Sequence, residues 1–263
     1  MTTTKNIKKA ALILRQAKYT VVFTGAGISV ESGLPTFRGE GGIWKEVNPN
    51  YFNIDFFHKK PRLTWEIIKK VFYDPLTNVK PNIAHHILSV MGQHGIIQTI
   101  ITQNIDHLHQ EAGYQKVIEL HGTYRRLVCT KCSTEYDYSF TDLNYLPPTC
   151  FVCRGVLKPD FVFFNEELSP VVKRKAFEEV QKADVFLVIG TRAEVYPANT
   201  MPRLAKERGA AIIEINLNES PFTEHYTDLF IKMGAGEAMK QLCQLLACRQ
   251  EGGNSSRQIL KNK

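Results

Sequence analysis

The hydrophobic positions of the chain run in two alternating rhythms. Ile7, Ala10, Ala11, Leu14 and Ala17 recur every three or four residues behind Thr2, Thr3 and Thr4, residues suited to a helix cap, which predicts a helix over 5–17. The next run, Thr20-Val21-Val22-Phe23, is β-branched and aromatic and opens into Gly25-Ala26-Gly27, the pattern of a strand that delivers a glycine turn. Similar apolar runs at 96–101, 117–120, 185–189 and 211–215 alternate with helical patterns at 85–93, 170–182, 199–207 and 237–247. Strands without a polar face are covered on both sides, and strands separated by helices pair in parallel. The expected architecture is a doubly wound α/β domain that holds ligands beyond the carboxyl ends of its strands.

Two stretches break the alternation. Residues 40–84 are aromatic and mixed in pattern, and residues 123–160 contain four of the six cysteines. Both are expected as insertions of one smaller lobe, a helical and loop module at 40–84 and a cysteine module at 123–160. That leaves 1–39, 85–122 and 161–248 for the main domain and 249–263 as a flexible tail. In the cysteine module, Cys129-x-x-Cys132 and Cys150-x-x-Cys153 are separated by seventeen residues. Two such turns present four thiolates to a tetrahedral Zn2+, and four thiolates leave no open position for activating water. A zinc ribbon with a structural role is expected, in preference to two disulfides.

Composition narrows the setting. A hydrophobic content of 43% with 22% charged residues belongs to a folded domain. Cysteines in a metal spacing, no apolar segment behind the basic residues of the N-terminus and no apolar run beyond strand length point to the cytoplasm and away from a membrane. The net charge of +7 is carried partly by the ends, at Lys5, Lys8, Lys9, Arg249, Arg257, Lys261 and Lys263, as solvated tails explain. The segment between the cysteine pairs holds Glu135 and Asp137 in place of a basic stripe, so nucleic acid is not the expected partner.

The turn Gly25-Ala26-Gly27-Ile28-Ser29-Val30 has Val30 where a dinucleotide fingerprint carries its third glycine. Alone it fits a pyrophosphate-binding turn and a plain strand-to-helix turn equally well. Its context is specific: the run from Gly25 through Ser29, Pro35, Phe37 and Arg38 to Gly39, then Thr102-Gln103-Asn104-Ile105-Asp106, then His121-Gly122, then the two cysteine pairs. In these elements, in this order, the chain resembles the sirtuin family of NAD-dependent protein-lysine deacylases over residues 5–246.

The resemblance implies a Rossmann-like NAD-binding domain with NAD as co-substrate, one structural zinc per chain, and acyl-lysine proteins or peptides as partners. Gly25, Ala26, Gly27 and Ser29 would lie against the pyrophosphate, with Phe37 and Arg38 on a loop that covers the cofactor. Gln103, Asn104, Ile105 and Asp106 match the nicotinamide and ribose pocket, Gly190 and Thr191 the segment near the adenosine ribose, and Asn216 a contact to the adenosine half. His121 matches the general base, with Asn104 and Asp106 as its catalytic companions; an imidazole with a pKa of about 6.5 suits that task near neutrality. Segment 156–168 resembles the one that pairs with an extended substrate peptide, with Val162, Phe163 and Phe164 walling the acyl-lysine tunnel.

Several residues depart from the family pattern. Asn165 stands where most relatives have glycine and is expected to narrow the peptide groove. Arg192 and Glu194 replace small and apolar residues, and Arg192 is in reach either of Glu194 or of a phosphate. Thr36 is similar to the branch that removes acidic acyl groups, but the Tyr-x-x-Arg pair of that branch falls on Ile68 and Val71. The tunnel end is then apolar unless a one-turn shift brings Lys69 or Lys70 inward, and acetyl or longer aliphatic acyl groups are the expected substrates. Mono-ADP-ribosyl transfer shares the same bond cleavage and is the neighbouring reading; a non-catalytic NAD-sensing or zinc interaction module is disfavoured by intact Asn104, Asp106 and His121. His85, His86, His107 and His109 fall at helix starts and are expected to cap or pack, and Cys243 and Cys248 to be packed or partly exposed thiols.

Overall fold

The computed structural model describes residues 2–192 and 194–246; the expected tail at 249–263 and Cys248 lie outside the described residues. In chain order the strands are β1 (Thr20–Thr24), β2 (Thr99–Thr102), β3 (Val117–Glu119), β4 (Gly122–Cys129), β5 (Glu135–Asp137), β6 (Leu157–Phe161), β7 (Val185–Ile189), β8 (Ala211–Asn216) and β9 (Leu229–Lys232). Six of them make a parallel sheet in the order β3-β2-β1-β7-β8-β9, and the other three an antiparallel sheet in the order β5-β4-β6.

Successive strand residues point to opposite faces, and here both faces are covered. Val21 and Phe23 of β1 join Phe186, Val188 and Val180 on one side, under the helices Pro170–Lys182 and Met201–Glu207. Val22 joins Leu14, Leu88 and Met239 on the other, under the helices Thr2–Gln16, Ile83–Gln93 and Ala235–Leu246. This is why β1 and β7 read as unbroken apolar runs, and β7 has the expected bounds.

Other bounds shift for local reasons. The first helix begins at Thr2, three residues before the expected start, so Thr3 and Thr4 lie within it. Ile96 and Ile97 fall outside β2: Gly95 takes φ +70°, and the Ile96 N–H bonds back to the Met91 carbonyl, closing the preceding helix. Strand β9 was not expected. It is an edge strand of four residues in which Leu229 and Ile231 are buried and Lys232 is exposed, a pattern too short to stand out from its surroundings.

The two insertions share one core. Phe57, Trp65, Ile68 and Tyr73 from the helical module pack with Leu127, Leu157 and Phe161 of the small sheet, and the Trp65 indole N–H donates to the Leu157 carbonyl at 2.7 Å. The chain enters this lobe through His121-Gly122, between β3 and β4, and β6 returns alongside, with Gly122 opposite Phe161. Gly122 sits at φ +75°, and a Cβ there would lie 1.9 Å from the Asp160 carbonyl oxygen, so the crossing requires glycine.

Of the helix-start histidines, His85 caps and packs and His109 packs. Asn82 and His85 form a reciprocal cap of the helix Ile83–Gln93, and the His85 ring lies 4.9 Å from that of buried His109. His107, at φ 61°, precedes the short helix Leu108–Glu111 and faces Glu119 at 3.3 Å. No helix among the described residues is long and apolar enough to cross a membrane.

Candidate active site

Strand order reverses between β1 and β7, so the crossovers leave in opposite directions and open a crevice at their carboxyl ends. A cavity of about 1130 Å³ occupies that place, floored by the turns after β1, β2 and β7 and roofed by the small lobe. The floor is held by glycines. The Gly27 N–H donates to the Gly190 carbonyl at 2.8 Å, and a Cβ on Gly27 would lie 2.7 Å from Gly190 Cα. A Cβ on Gly25 would meet the Thr191 side chain at 2.6 Å. The glycines are thus dictated first by contact between two loops, which brings both turns to the same edge of the cavity. After Gly25 the chain forms the 3-10 helix Ala26–Ser32.

Beyond β2, Asn104 is buried, with its amide nitrogen donating to the Gly25 carbonyl and to Ser29 Oγ, each at 3.2 Å. Its Oδ1 is buried and has no partner among the described residues. An acceptor left unmatched in this way costs free energy unless a ligand donor meets it. Ser29 donates to Asp106 Oδ2 at 2.7 Å, and the Leu108 N–H donates to the other oxygen at 3.1 Å. Burial raises the Asp106 pKa, against the opposing pull of these bonds. Ser29 and Asp106 stand behind Asn104 and do not line the cavity, whereas Gln103, Asn104 and Ile105 do.

His121 lines the same cavity, with Nδ1 3.0 Å from the Gln103 carbonyl oxygen. A carbonyl can only accept, so Nδ1 carries the proton and Nε2 keeps its lone pair. Burial lowers the pKa of this imidazole, partly offset by the Gln103 bond, and keeps it neutral. The Gln103 amide donates to Thr191 Oγ1 at 2.7 Å, and the Asn216 amide to the Thr191 carbonyl at 3.1 Å, so the β2, β7 and β8 ends are linked. Gly190, Thr191 and Asn216 line the far end of the cavity, and Phe37 and Arg38 its rim.

Of the two options for Arg192, the structure takes the ion pair: Nε lies 2.7 Å from Glu194, whose other oxygen is 3.7 Å from Arg38 across the rim. Under the small lobe the cavity is walled by Phe37, Trp44, Phe52, Phe72, Phe161 and Phe163. Ile68 is instead fully buried in the lobe core and Val71 packs against it; neither lines the cavity. The residues Lys69–Tyr73 form a π-helical turn, and from it Phe72 reaches the cavity while Lys69 pairs outward with Asp74 at 2.7 Å. Phe37 and Phe163 were expected near the site; Trp44, Phe52, Phe72 and Phe161 were not, because they converge from separate segments of the chain. Val162, Phe163 and Phe164 line the cavity as expected. Asn165 lines the cavity and takes φ +65°, a left-handed conformation that asparagine tolerates better than most residues.

The four cysteines converge away from the cavity, with all sulfurs within 4.8 Å of one another. Distances of 3.3 Å for Cys132–Cys153 and 3.6 Å for Cys132–Cys150 sit near the edge of about 3.8 Å that a ZnS4 tetrahedron with bonds of about 2.3 Å requires. The donor set and spacing fit a closed structural zinc site.

With this geometry in place, comparison with known proteins is decisive. Residues 25–197 match the model of the Sir2 family. The chain belongs to the Sir2 family. NAD-dependent protein deacetylase 1 of Pyrobaculum aerophilum is 40% identical over 247 residues, covering 93% of this chain and 96% of that protein. An NAD-dependent protein deacylase of Thermococcus kodakarensis is 41% identical over 241 residues, covering 89% and 93%. Among solved structures, Sir2 with a p53 peptide and NAD+ superposes with a TM-score of 0.83 at 35% identity, covering 90% of this chain and 97% of that one. In this chain the glycine turns, Asn104 and His121 all line one cleft.

Proposed function

We propose that the protein is an NAD-dependent protein-lysine deacylase. The observation that carries the reading is the meeting, in one cleft between two lobes, of a neutral imidazole at His121 with the unmatched acceptor of Asn104 and the paired glycine turns. Support also comes from relatives named as deacetylases and deacylases over nearly their whole length.

Bound NAD would supply an electrophilic ribose C1′, to which the amide oxygen of an acyl-lysine adds as nicotinamide departs, the acyl group ending on ADP-ribose. In this reading Gly25, Ala26 and Gly27 present backbone to the pyrophosphate, while Gly190, Thr191 and Asn216 hold the adenosine end. Asn104 Oδ1 accepts from a ribose hydroxyl, which orients the sugar. Ser29 holds the Asn104 amide from behind and is itself held by Asp106, so the pair positions the Asn104 side chain. His121 Nε2 takes the proton of a ribose hydroxyl, and the resulting imidazolium is stabilised by the Gln103 carbonyl on Nδ1. The aromatic walls exclude water while the amide adds. Their apolar surface favours acetyl and longer aliphatic acyl groups over succinyl, whose carboxylate it would leave unpaired. Cysteines arranged for zinc support placement in the cytoplasm.

The test is incubation with NAD and peptides bearing acetyl-, hexanoyl- or succinyl-lysine, with products read by mass. Acyl-ADP-ribose formed at the expense of acetyl or hexanoyl peptide is expected. Nicotinamide release that ignores the peptide would point to ADP-ribosyl transfer, and faster desuccinylation than deacetylation would overturn the acyl assignment. His121→Ala should bind NAD within severalfold of wild type yet lose deacylation.

A further inference from the structure

Lys158, on β6, is an unusually enclosed lysine, with a side chain only 12% exposed. Its ammonium has three protons, and each has an acceptor: the Pro159 carbonyl at 2.9 Å, the Phe161 carbonyl at 2.9 Å and Glu166 Oε2 at 3.0 Å. The Nζ also lies 4.6 Å from the centre of the Phe163 ring, within cation–π range. The same Glu166 oxygen accepts the Phe163 N–H at 2.8 Å. A charged pair is thus built into the ledge that runs from Phe161 to Glu166 along the cavity wall.

The backbone of that ledge can be accounted for group by group. The Val162 N–H donates to the His121 carbonyl at 2.9 Å and the Phe164 N–H to the Phe52 carbonyl at 2.8 Å. The Phe164 carbonyl accepts from the Ile54 N–H, and the Phe163 carbonyl from the Glu166 N–H. Lys158 and Glu166 take two further groups, the Phe161 carbonyl and the Phe163 N–H. The Val162 carbonyl and the Asn165 N–H remain without a partner among the described residues, and both residues line the cavity. One acceptor and one donor, three residues apart on a ledge, are what an extended peptide backbone can pair with.

Building on the deacylase reading, we propose that Lys158 and Glu166 are positioning residues for the acyl-peptide. By taking the Phe161 carbonyl and the Phe163 N–H, the pair turns those groups away from the cleft and holds the Val162 carbonyl and the Asn165 N–H towards the substrate. Neither side chain touches the reacting atoms. Their removal should loosen peptide binding and leave the cofactor end, built on β1, β7 and β8, unaltered.

Steady-state kinetics of K158M, K158R and E166Q with an acetyl-lysine peptide and NAD test this. Loss of hydrogen bonds from a charged group should raise the peptide KM of K158M by about tenfold or more, with kcat and the NAD KM within about twofold of wild type. K158R, which keeps the charge and the donors, should restore most of the peptide affinity. E166Q retains an acceptor for the Phe163 N–H and should fall between. A K158M peptide KM within about twofold of wild type, or a parallel change in the NAD KM that marks general distortion, would overturn the proposal. Should K158M fail to fold, E166Q alone decides: an unchanged peptide KM refutes the pair. Wild-type protein without peptide-dependent turnover would instead remove the deacylase reading, a failure distinct from that of the pair.

Discussion

Acidification should destabilise this fold through two histidines that never meet the substrate. His85 and His109 are buried beneath the main sheet's active edge, with ring centres 4.9 Å apart. His85 Nδ1 accepts the Asn82 N–H at 3.3 Å, and His109 Nε2 lies 3.0 Å from Thr24 Oγ1; the other nitrogen of each ring has no partner among the described residues. Among the described residues no counter-charge acts on either ring, and burial pulls the pKa of His85 down to about 2 and that of His109 to about 3. Both stay neutral in the folded state at any pH the protein tolerates, whereas in the unfolded chain they take up protons below about 6.5. Their share of stability is therefore complete above that value and drains away as pH falls towards the folded pKa values. Between pH 7.5 and 5.0 each histidine forfeits about 2 kcal/mol and the pair about 4 kcal/mol.

Urea denaturation followed by circular dichroism at pH 7.5, 6.5 and 5.0 measures this for wild type and for the double variant His85→Asn/His109→Gln. Zinc-thiolate loss at low pH affects both proteins alike and cancels in the comparison. The variant should be less stable at pH 7.5 but lose about 4 kcal/mol less on going to pH 5.0. If the two proteins lose the same amount, the rings are not held neutral and the reasoning fails.

Other consequences can be checked more briefly. Because burial depresses the His121 pKa, the acid limb of the deacylation profile should fall below the ordinary histidine value, and a limb above about 6.5 would contradict the geometry. Gly27→Ala places a methyl 2.7 Å from Gly190 Cα, so it should lower the thermal midpoint and weaken NAD binding together in calorimetry; a neutral outcome would show that the two turns can separate. Cys150→Ser should reduce bound zinc, read by mass spectrometry, and destabilise the small lobe while the parallel sheet survives proteolysis. Glu194→Ser should release Arg38 from its rim contact and lower the NAD KM, by less than about fivefold because an exposed ion pair contributes little; a raised KM would mean that Glu194 assists binding.

Features that depend on local pattern were legible in advance. The apolar runs of β1 and β7 announce strands covered on both faces, and the cysteine spacing announces four sulfurs that do converge. His121 and Asn104 were recognisable only through the company of neighbouring motifs, since a lone histidine at a strand end has many ordinary explanations. What escaped depended on groups far apart in the chain meeting. Trp44, Phe52, Phe72 and Phe161 complete an aromatic wall with Phe37 and Phe163, and no window of sequence holds them together. The turn that swings Phe72 inward is a π-helical irregularity with no compositional mark. The positive φ of Asn165 was equally hidden, because backbone conformation at one residue leaves no pattern along the chain.

The histidine assigned as base immediately precedes β4, the first of the two strands that carry the cysteine module into and out of the small lobe, where Gly122 lies opposite Phe161. A pivot located at this neck would let the lobe swing as a jaw hinged at its inner corner. The outer lip would then travel furthest while the imidazole beside the hinge pin hardly shifted against the Gln103 carbonyl. Admission of reactants and readiness for proton removal are separable in such a design, so one can be tuned by altering the lip without disturbing the other.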